Sequence, residues 1–103
     1  NAKKDLTGTS VTTLYTAPAL TTAIVKSILV SEDSGNADTI TLTITDTAAS
    51  PATFSIFKTK SISANGTAEL LTAPLVMKTG EILKVTAATA NRLHVIASIL
   101  EVS

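Results

Sequence analysis

The chain has 103 residues, enough for one domain around one core, with 45% apolar, 16% charged and 3% aromatic side chains. Eight Lys and Arg balance eight Asp and Glu, so no basic excess is available to neutralise phosphates and no nucleic-acid partner is expected. Cys is absent and His occurs once, which excludes disulfide frameworks, Cys nucleophiles and multi-His zinc or copper sites.

Residues 1–10 (NAKKDLTGTS) read as a flexible N-terminal arm ahead of a single domain over 11–103. After it, short strand-like runs alternate with turn signals. Residues 11–16 form a first strand, stopped at Pro18 because Pro cannot donate to a ladder. Residues 22–31 (TAIVKSILVS) form a longer second one, rich in branched side chains. Counted strictly by twos, Ile24, Ile28 and Val30 face one way, and Val25 and Leu29 the other. Residues 32–38 (EDSGNAD) make a polar turn. Residues 38–47 give the clearest signal in the chain: Ile40, Leu42 and Ile44 alternate with Thr39, Thr41, Thr43 and Thr45, as in a half-buried strand.

A loop over 48–52 leads to a fourth strand over 53–59, which residues 60–64 continue or restart. Asn65-Gly66 is a strong hairpin dipeptide, since a type I′ turn needs positive φ at both central residues. Strands over 67–72 and 81–88 follow, separated by Pro74 and the turn Lys78-Thr79-Gly80, and residues 92–102 (RLHVIASILEV) close the chain. The LYTAP of 14–18 returns as LLTAP at 70–74, two strands ending on the same Pro stop. The expected fold is all-β: one antiparallel β-sandwich of seven to eight strands, jelly-roll or immunoglobulin-like.

The uncharged run 6–25 has the length of a membrane span. It contains eight Ser or Thr, with Gly8 and Pro18 inside it, and reads better as two strands about a turn than as a lipid-facing helix. The polar start has no h-region directly behind it. We therefore read the chain as soluble, with no membrane partner.

The last strand breaks the rule that a sandwich strand buries one face and wets the other. Leu93, Val95, Ala97 and Ile99 share one face, while Ile96, Leu100 and Val102, with His94 and Ser98, share the opposite one. Aliphatic side chains gain roughly 1.5–3 kcal/mol each on burial, so this second face is expected to be covered, by a neighbouring subunit or host surface as the favoured reading, or by the chain itself if these are central strands packed on both sides.

Sites of chemistry are scarce. A catalytic His needs a nucleophile and an orienting carboxylate, and no Gly-x-Ser-x-Gly elbow accompanies His94. His94 is read as a surface or interface residue and the chain as not an enzyme. Glu32, Asp33, Asn36 and Asp38 can offer oxygen ligands to calcium, but their spacing fits no EF-hand loop and a solvated turn explains them; no cofactor is expected. Asn65-Gly66-Thr67 fits the glycosylation pattern, which the hairpin already accounts for. Lys58 and Lys60 share a strand face, too few charges for a phosphate track. Tyr15, Phe54 and Phe57 are the only aromatics, fewer than carbohydrate-binding sandwiches usually present.

Three segments carry a resemblance: LYTAP at 14–18 followed by TAIVKSI at 22–28, ANGTAELL at 64–71, and PLV at 74–76 running into GEILKV at 80–85. In that order and spacing they resemble small β-sandwich virion proteins of tailed bacteriophages, over roughly residues 11–102. The resemblance implies a virion structural role in particles assembled in a bacterial cytoplasm. The favoured form is a capsid decoration (cement) protein that binds between major capsid subunits and self-associates as a trimer; the alternative is a neck, tail or fibre component. A glycan- or receptor-binding module is the reading from another class. The contact residues expected from the sequence are Lys3, Lys4 and Leu6 in the arm, and His94, Ile96, Leu100 and Val102 on the last strand.

Overall fold

A computed structural model describes residues 2–47 and 52–102. Among them lie nine strands: β1 (Ala2–Leu6), β2 (Thr12–Thr16), β3 (Thr22–Glu32), β4 (Asp38–Asp46), β5 (Ala52–Ile62), β6 (Thr67–Glu69), β7 (Leu75–Met77), β8 (Ile82–Ala87) and β9 (Leu93–Val102). The pairings are nested and antiparallel: β1 with β9, β2 with β8, β3 with β6 and β7, and β4 with β5. The chain is thus one long hairpin, with its tip between β4 and β5, rolled so that successive rungs fall in opposite sheets. One sheet runs β1-β9-β3-β6, with β7 also on β3; the other runs β2-β8-β4-β5. This order is that of a jelly roll, so the immunoglobulin-like alternative is not the one realised. The uncharged run 6–25 is strand and turn, and no described helix is long and apolar enough to cross a membrane.

Two strands exceed the expected count. Residues 2–6 are not an arm but an edge strand, registered on β9 from Ala2↔Ala97 to Leu6↔Leu93. Lys3, Lys4 and Asp5 hide the strand signal because they show no apolar alternation, yet charged residues are what a sheet edge tolerates and uses against stray pairing. Leu6, 2% exposed, anchors the strand in the core. The second addition is β7, three residues set between Pro74 and the turn at Lys78. The run expected as one strand over 67–72 stops at Glu69, so β6 and β7 together form a broken fourth strand beside β3. The loop expected over 48–52 lies outside the described residues up to position 51, and β5 begins at Ala52.

The core is built by alternation, corrected by bulges. Leu93, Val95 and Ala97 of β9, Ile40 and Leu42 of β4, and Leu83 and Val85 of β8 are fully enclosed. Ile44 is only half-buried, near the end of β4, where the Thr45 and Thr53 hydroxyls meet at 3.0 Å. In β3 the register with β9 slips between Val25 and Ser27. The extra residue, Lys26, reverses the parity of everything after it: Ala23, Val25, Ile28, Val30 and Glu32 point inward, and Ile24 and Leu29 outward. The strict period-2 sorting of this strand fails at that one position.

The Asn65-Gly66 hairpin is also overturned. β5 and β6 belong to different sheets, so the turn between them is a crossover. Gly66 N–H donates to Ser63 O at 2.9 Å and only Asn65, at φ 54°, is left-handed. That is the pattern of a type II turn, whose third residue takes Gly or Asn. In β5, Lys58 and Thr59 together oppose Thr41. Thr59 sits at φ 50°, rare for a β-branched residue, and its N–H donates to the Thr41 hydroxyl at 3.1 Å.

Because Leu6 belongs to the core, Leu6→Ala is expected to cost about 2–5 kcal/mol in urea unfolding, the range for a buried Leu truncation. A loss under about 0.5 kcal/mol would return residues 2–6 to the status of an arm.

Candidate functional site

Cross-strand register lays out the outer face of the β1-β9-β3-β6 sheet in rows, since directly paired residues point to the same side. One row is Asp5, His94, Ser31 and Thr67; the next is Lys3, Ile96, Leu29 and Glu69. Ser98 faces Ser27 below these, then come Leu100, Ile24 and Val76, and finally Val102 beside Thr22. Leu29, Val76, Ile96, Leu100 and Val102 are between 39% and 58% exposed, and Ile24 is half-buried. These are two aliphatic patches on the outside of a sheet, parted by the Ser27–Ser98 row, with no layer of the described residues over them.

The other sheet is finished differently. Its outer positions on β4 are Thr39, Thr41 and Thr43, with Thr45 buried at the end of the row beside Ile82, and Thr41 pairs with Thr86 while Thr43 pairs with Lys84. Hydroxyls and one ammonium therefore meet water on that side. The molecule is two-faced, apolar outside one sheet and hydroxyl-rich outside the other, a contrast that solubility alone does not call for.

The residues expected as contacts divide on inspection. Ile96, Leu100 and Val102 lie on the aliphatic face, with Lys3 at its edge and His94 one row away. Lys4 is exposed on β1. Leu6 is withdrawn from the set because it is enclosed in the core. Ile24, Leu29 and Val76 were not foreseen: the Lys26 bulge conceals the first two and the short β7 conceals the third. A shallow depression of about 290 Å³ borders the face, lined by Lys3, Lys4, Asp5, His94, Val95 and Ile96.

His94 has both ring nitrogens turned to carboxylates, Nε2 to Asp5 at 3.2 Å and Nδ1 to Asp33 at 3.5 Å. A His serving as general base presents one nitrogen to a hydroxyl or thiol, and here neither does. The two carboxylates lie on opposite sides of the ring and cannot share one metal ion with it.

The acidic turn likewise separates into three environments. Asp33 belongs to His94, and Asp38 accepts from Thr89 N–H at 3.1 Å. The Glu32 carboxylate, at the inward end of β3, accepts from the N–H groups of Ser34 (2.8 Å), Gly35 (3.1 Å), Asn36 (3.1 Å) and Asn65 (3.0 Å), and from the Ser34 hydroxyl. Burial alone pushes this carboxyl up; the Ser34 hydroxyl and the converging N–H groups outweigh it and hold the pKa at about 2. Its oxygens are committed to donors rather than open to a cation. Among the described residues, no three His, Asp or Glu side chains are placed to hold a metal ion.

Glu69 plays a similar part at the break between β6 and β7. Its carboxylate takes the Ile28 N–H at 2.9 Å, the Leu71 N–H at 3.1 Å and the Ser27 hydroxyl. Burial raises its pKa, but the Ser27 hydroxyl and these N–H groups outweigh burial and lower it. At the opposite end of the sandwich, Tyr15 of β2 donates its hydroxyl to Glu101 of β9 and ties the two sheets together. Burial, then the hydrogen bond to Glu101, then that carboxylate's charge push the phenol up to about 12. Of the other aromatics, Phe57 is half-buried with the Lys60 ammonium 5.6 Å from its ring centre, and Phe54 stands exposed on the edge strand β5. The bulge at Thr59 interrupts the face that Lys58 and Lys60 were expected to share.

Comparison of the chain with protein-family models, with curated proteins and with solved structures finds no match.

Two titrations test these environments. A carboxyl whose folded pKa is depressed adds stability above its unfolded value, and that stability is lost as pH falls through the folded value. Thermal unfolding followed from pH 6 to 2 should therefore show stability falling between the ordinary 4.5 and about 2, and Glu32→Gln should flatten this dependence. Tyr15 is the only tyrosine and there is no Trp, so absorbance at the phenolate band reads it alone. Its midpoint should lie near 12, and Glu101→Gln should bring it part of the way back towards 10.

Proposed function

We propose that this chain is a non-enzymatic structural protein of a bacteriophage virion, of the capsid decoration type, and that the outer face of the β1-β9-β3-β6 sheet is an assembly surface. The observation that carries the reading is the two-faced construction. Leu29, Val76, Ile96, Leu100 and Val102 lie in water on one side, while the other side carries a ladder of Thr. Covering aliphatic surface is favourable by roughly 25 cal/mol per Å², so a chain built this way gains most when neighbours cover that face. The phage virion resemblance of residues 11–102 supplies the setting, a capsid surface.

The mechanism is linkage. A protein that binds only the assembled shell stabilises it in proportion to RT times the logarithm of its occupancy ratio, and many weak contacts repeated over a lattice add avidity. No site chemistry is needed for this. A neck, tail or fibre position is the related alternative. Phe54, exposed on β5, is the one feature that favours a glycan- or receptor-binding module instead.

Mixing purified chain with heads that lack it, then sedimenting, tests the reading. The chain should co-sediment and raise the temperature at which the heads release DNA, and Ile96→Lys or Leu100→Lys should abolish both effects while leaving the circular dichroism unchanged. Failure of the native chain to bind heads, together with glycan binding lost in Phe54→Ala, would replace this function with the receptor-binding one.

A further inference from the structure

The row that crosses the centre of the apolar face reads Lys3, Ile96, Leu29, Glu69: a cation on one edge strand, two aliphatic side chains on the middle strands, an anion on the other edge. Such a row is self-complementary. Consider a second copy laid face to face and related by a two-fold axis that runs along the strands between β9 and β3. Lys3 then lies across from the partner's Glu69, Ile96 across from the partner's Leu29, and Leu100 across from the partner's Ile24. Both ends of the row gain an opposite charge and the middle gains only apolar contact. The same operation on any row keeps β9 over β3, as in aligned sheet-on-sheet packing.

We propose that this chain pairs with a second copy of itself through the outer face of the β1-β9-β3-β6 sheet, as a two-fold dimer closed by reciprocal Lys3–Glu69 pairs. The inference rests on the reading of this face as an assembly surface and names its occupant. The contact is isologous, each copy using the same patch, so it closes at two and does not generate the trimer that the resemblance implies.

Size and charge both fit. Five residues of β1, ten of β9, eleven of β3 and three each of β6 and β7 give a face on the order of 500 Å² per copy at the strand rise and spacing of a sheet. A pair therefore buries on the order of 1,000 Å² in total, the least that a specific interface clears. Glu69 is held in place by Ile28 N–H, Leu71 N–H and the Ser27 hydroxyl, and unlike the enclosed Glu32 it is exposed, so its charge is fixed at the surface within reach of a partner. The Lys3 backbone is placed opposite Ile96 by the β1 register. Two exposed ion pairs add little affinity, but they choose the orientation: the end-over-end alternative places Lys3 on the partner's β1 side and loses both pairs.

Sedimentation equilibrium of the purified full chain over a range of concentrations provides the test. The native chain should behave as a dimer. Ile96→Lys, or independently Leu100→Lys, should run as a monomer with unchanged circular dichroism. Lys3→Glu should weaken the dimer roughly tenfold, the scale of two lost exposed pairs, and Thr86→Lys on the opposite sheet should leave it intact. A native monomer or trimer overturns the proposal, as does a dimer indifferent to Ile96→Lys and Leu100→Lys. Binding to heads by a monomeric chain would leave the decoration role standing while removing the dimer. A dimer that fails to bind heads would do the reverse.

Discussion

The structure depends on one extra residue in β3. This strand and β9 form the centre of their sheet and pair along nearly their whole length, with the slip at Lys26 as the one break in register. Without it, strict alternation carries Leu29 into the core and puts Ile28, Val30 and Glu32 in water. With it, Ile28 and Val30 close the core, Leu29 joins Ile96 outside, and Glu32 reaches the interior end of the strand. The same slip leaves Ser27 and Ile28 beside the break in the fourth strand, where Glu69 supplies the acceptor that a continuous β6–β7 strand would have provided. Core, aliphatic outer face and carboxylate anchors are thus consequences of a single local change of phase.

The hydrogen-bonded carboxylates act as joints between segments. Glu32 gathers four backbone N–H groups from two separate turns, and its own N–H donates to Gly66 O at 2.9 Å. It therefore fixes the end of β3, the 33–36 turn and the crossover between sheets at one point. A carboxylate enclosed without such donors would be too costly to keep ionised; with them it organises three segments. Tyr15 and Glu101 make the corresponding tie at the opposite end. His94 belongs to the surface, bridging β1 and the 33–36 turn through Asp5 and Asp33.

Much of this was legible in the sequence, and the gaps have physical causes. The alternation of Ile40 and Leu42 with Thr located β4 and its two faces, and the two-sided apolar pattern of residues 93–102 identified Ile96, Leu100 and Val102 as surplus to the core. β1 was hidden because it is held by main-chain pairing and one Leu, neither of which produces a periodic pattern. The face of Ile24 and Leu29 was misassigned because a bulge leaves no composition signal when the inserted residue is an ordinary Lys. Asn65-Gly66 signals a reversal of direction, but local chemistry does not say whether the chain returns to the same sheet or moves to the other one. The role of Glu32 arises only when residues 34–36 and 65 meet, a contact set by topology.

The nested pairing also decides when the molecule can form. Among the described residues β1 finds its only strand partner in β9, so residues 2–6 have no strand to dock on until residues 93–102 exist. The tip pair β4–β5 is local, whereas each rung further out joins segments more distant in sequence, and such long-range closures slow folding. As the chain emerges during synthesis its central strands can therefore already meet while its outermost ladder is still absent. During that interval the β9 side of β3 is an open edge, and residues 93–102, which follow every other described strand in the chain, are the ones that seal it.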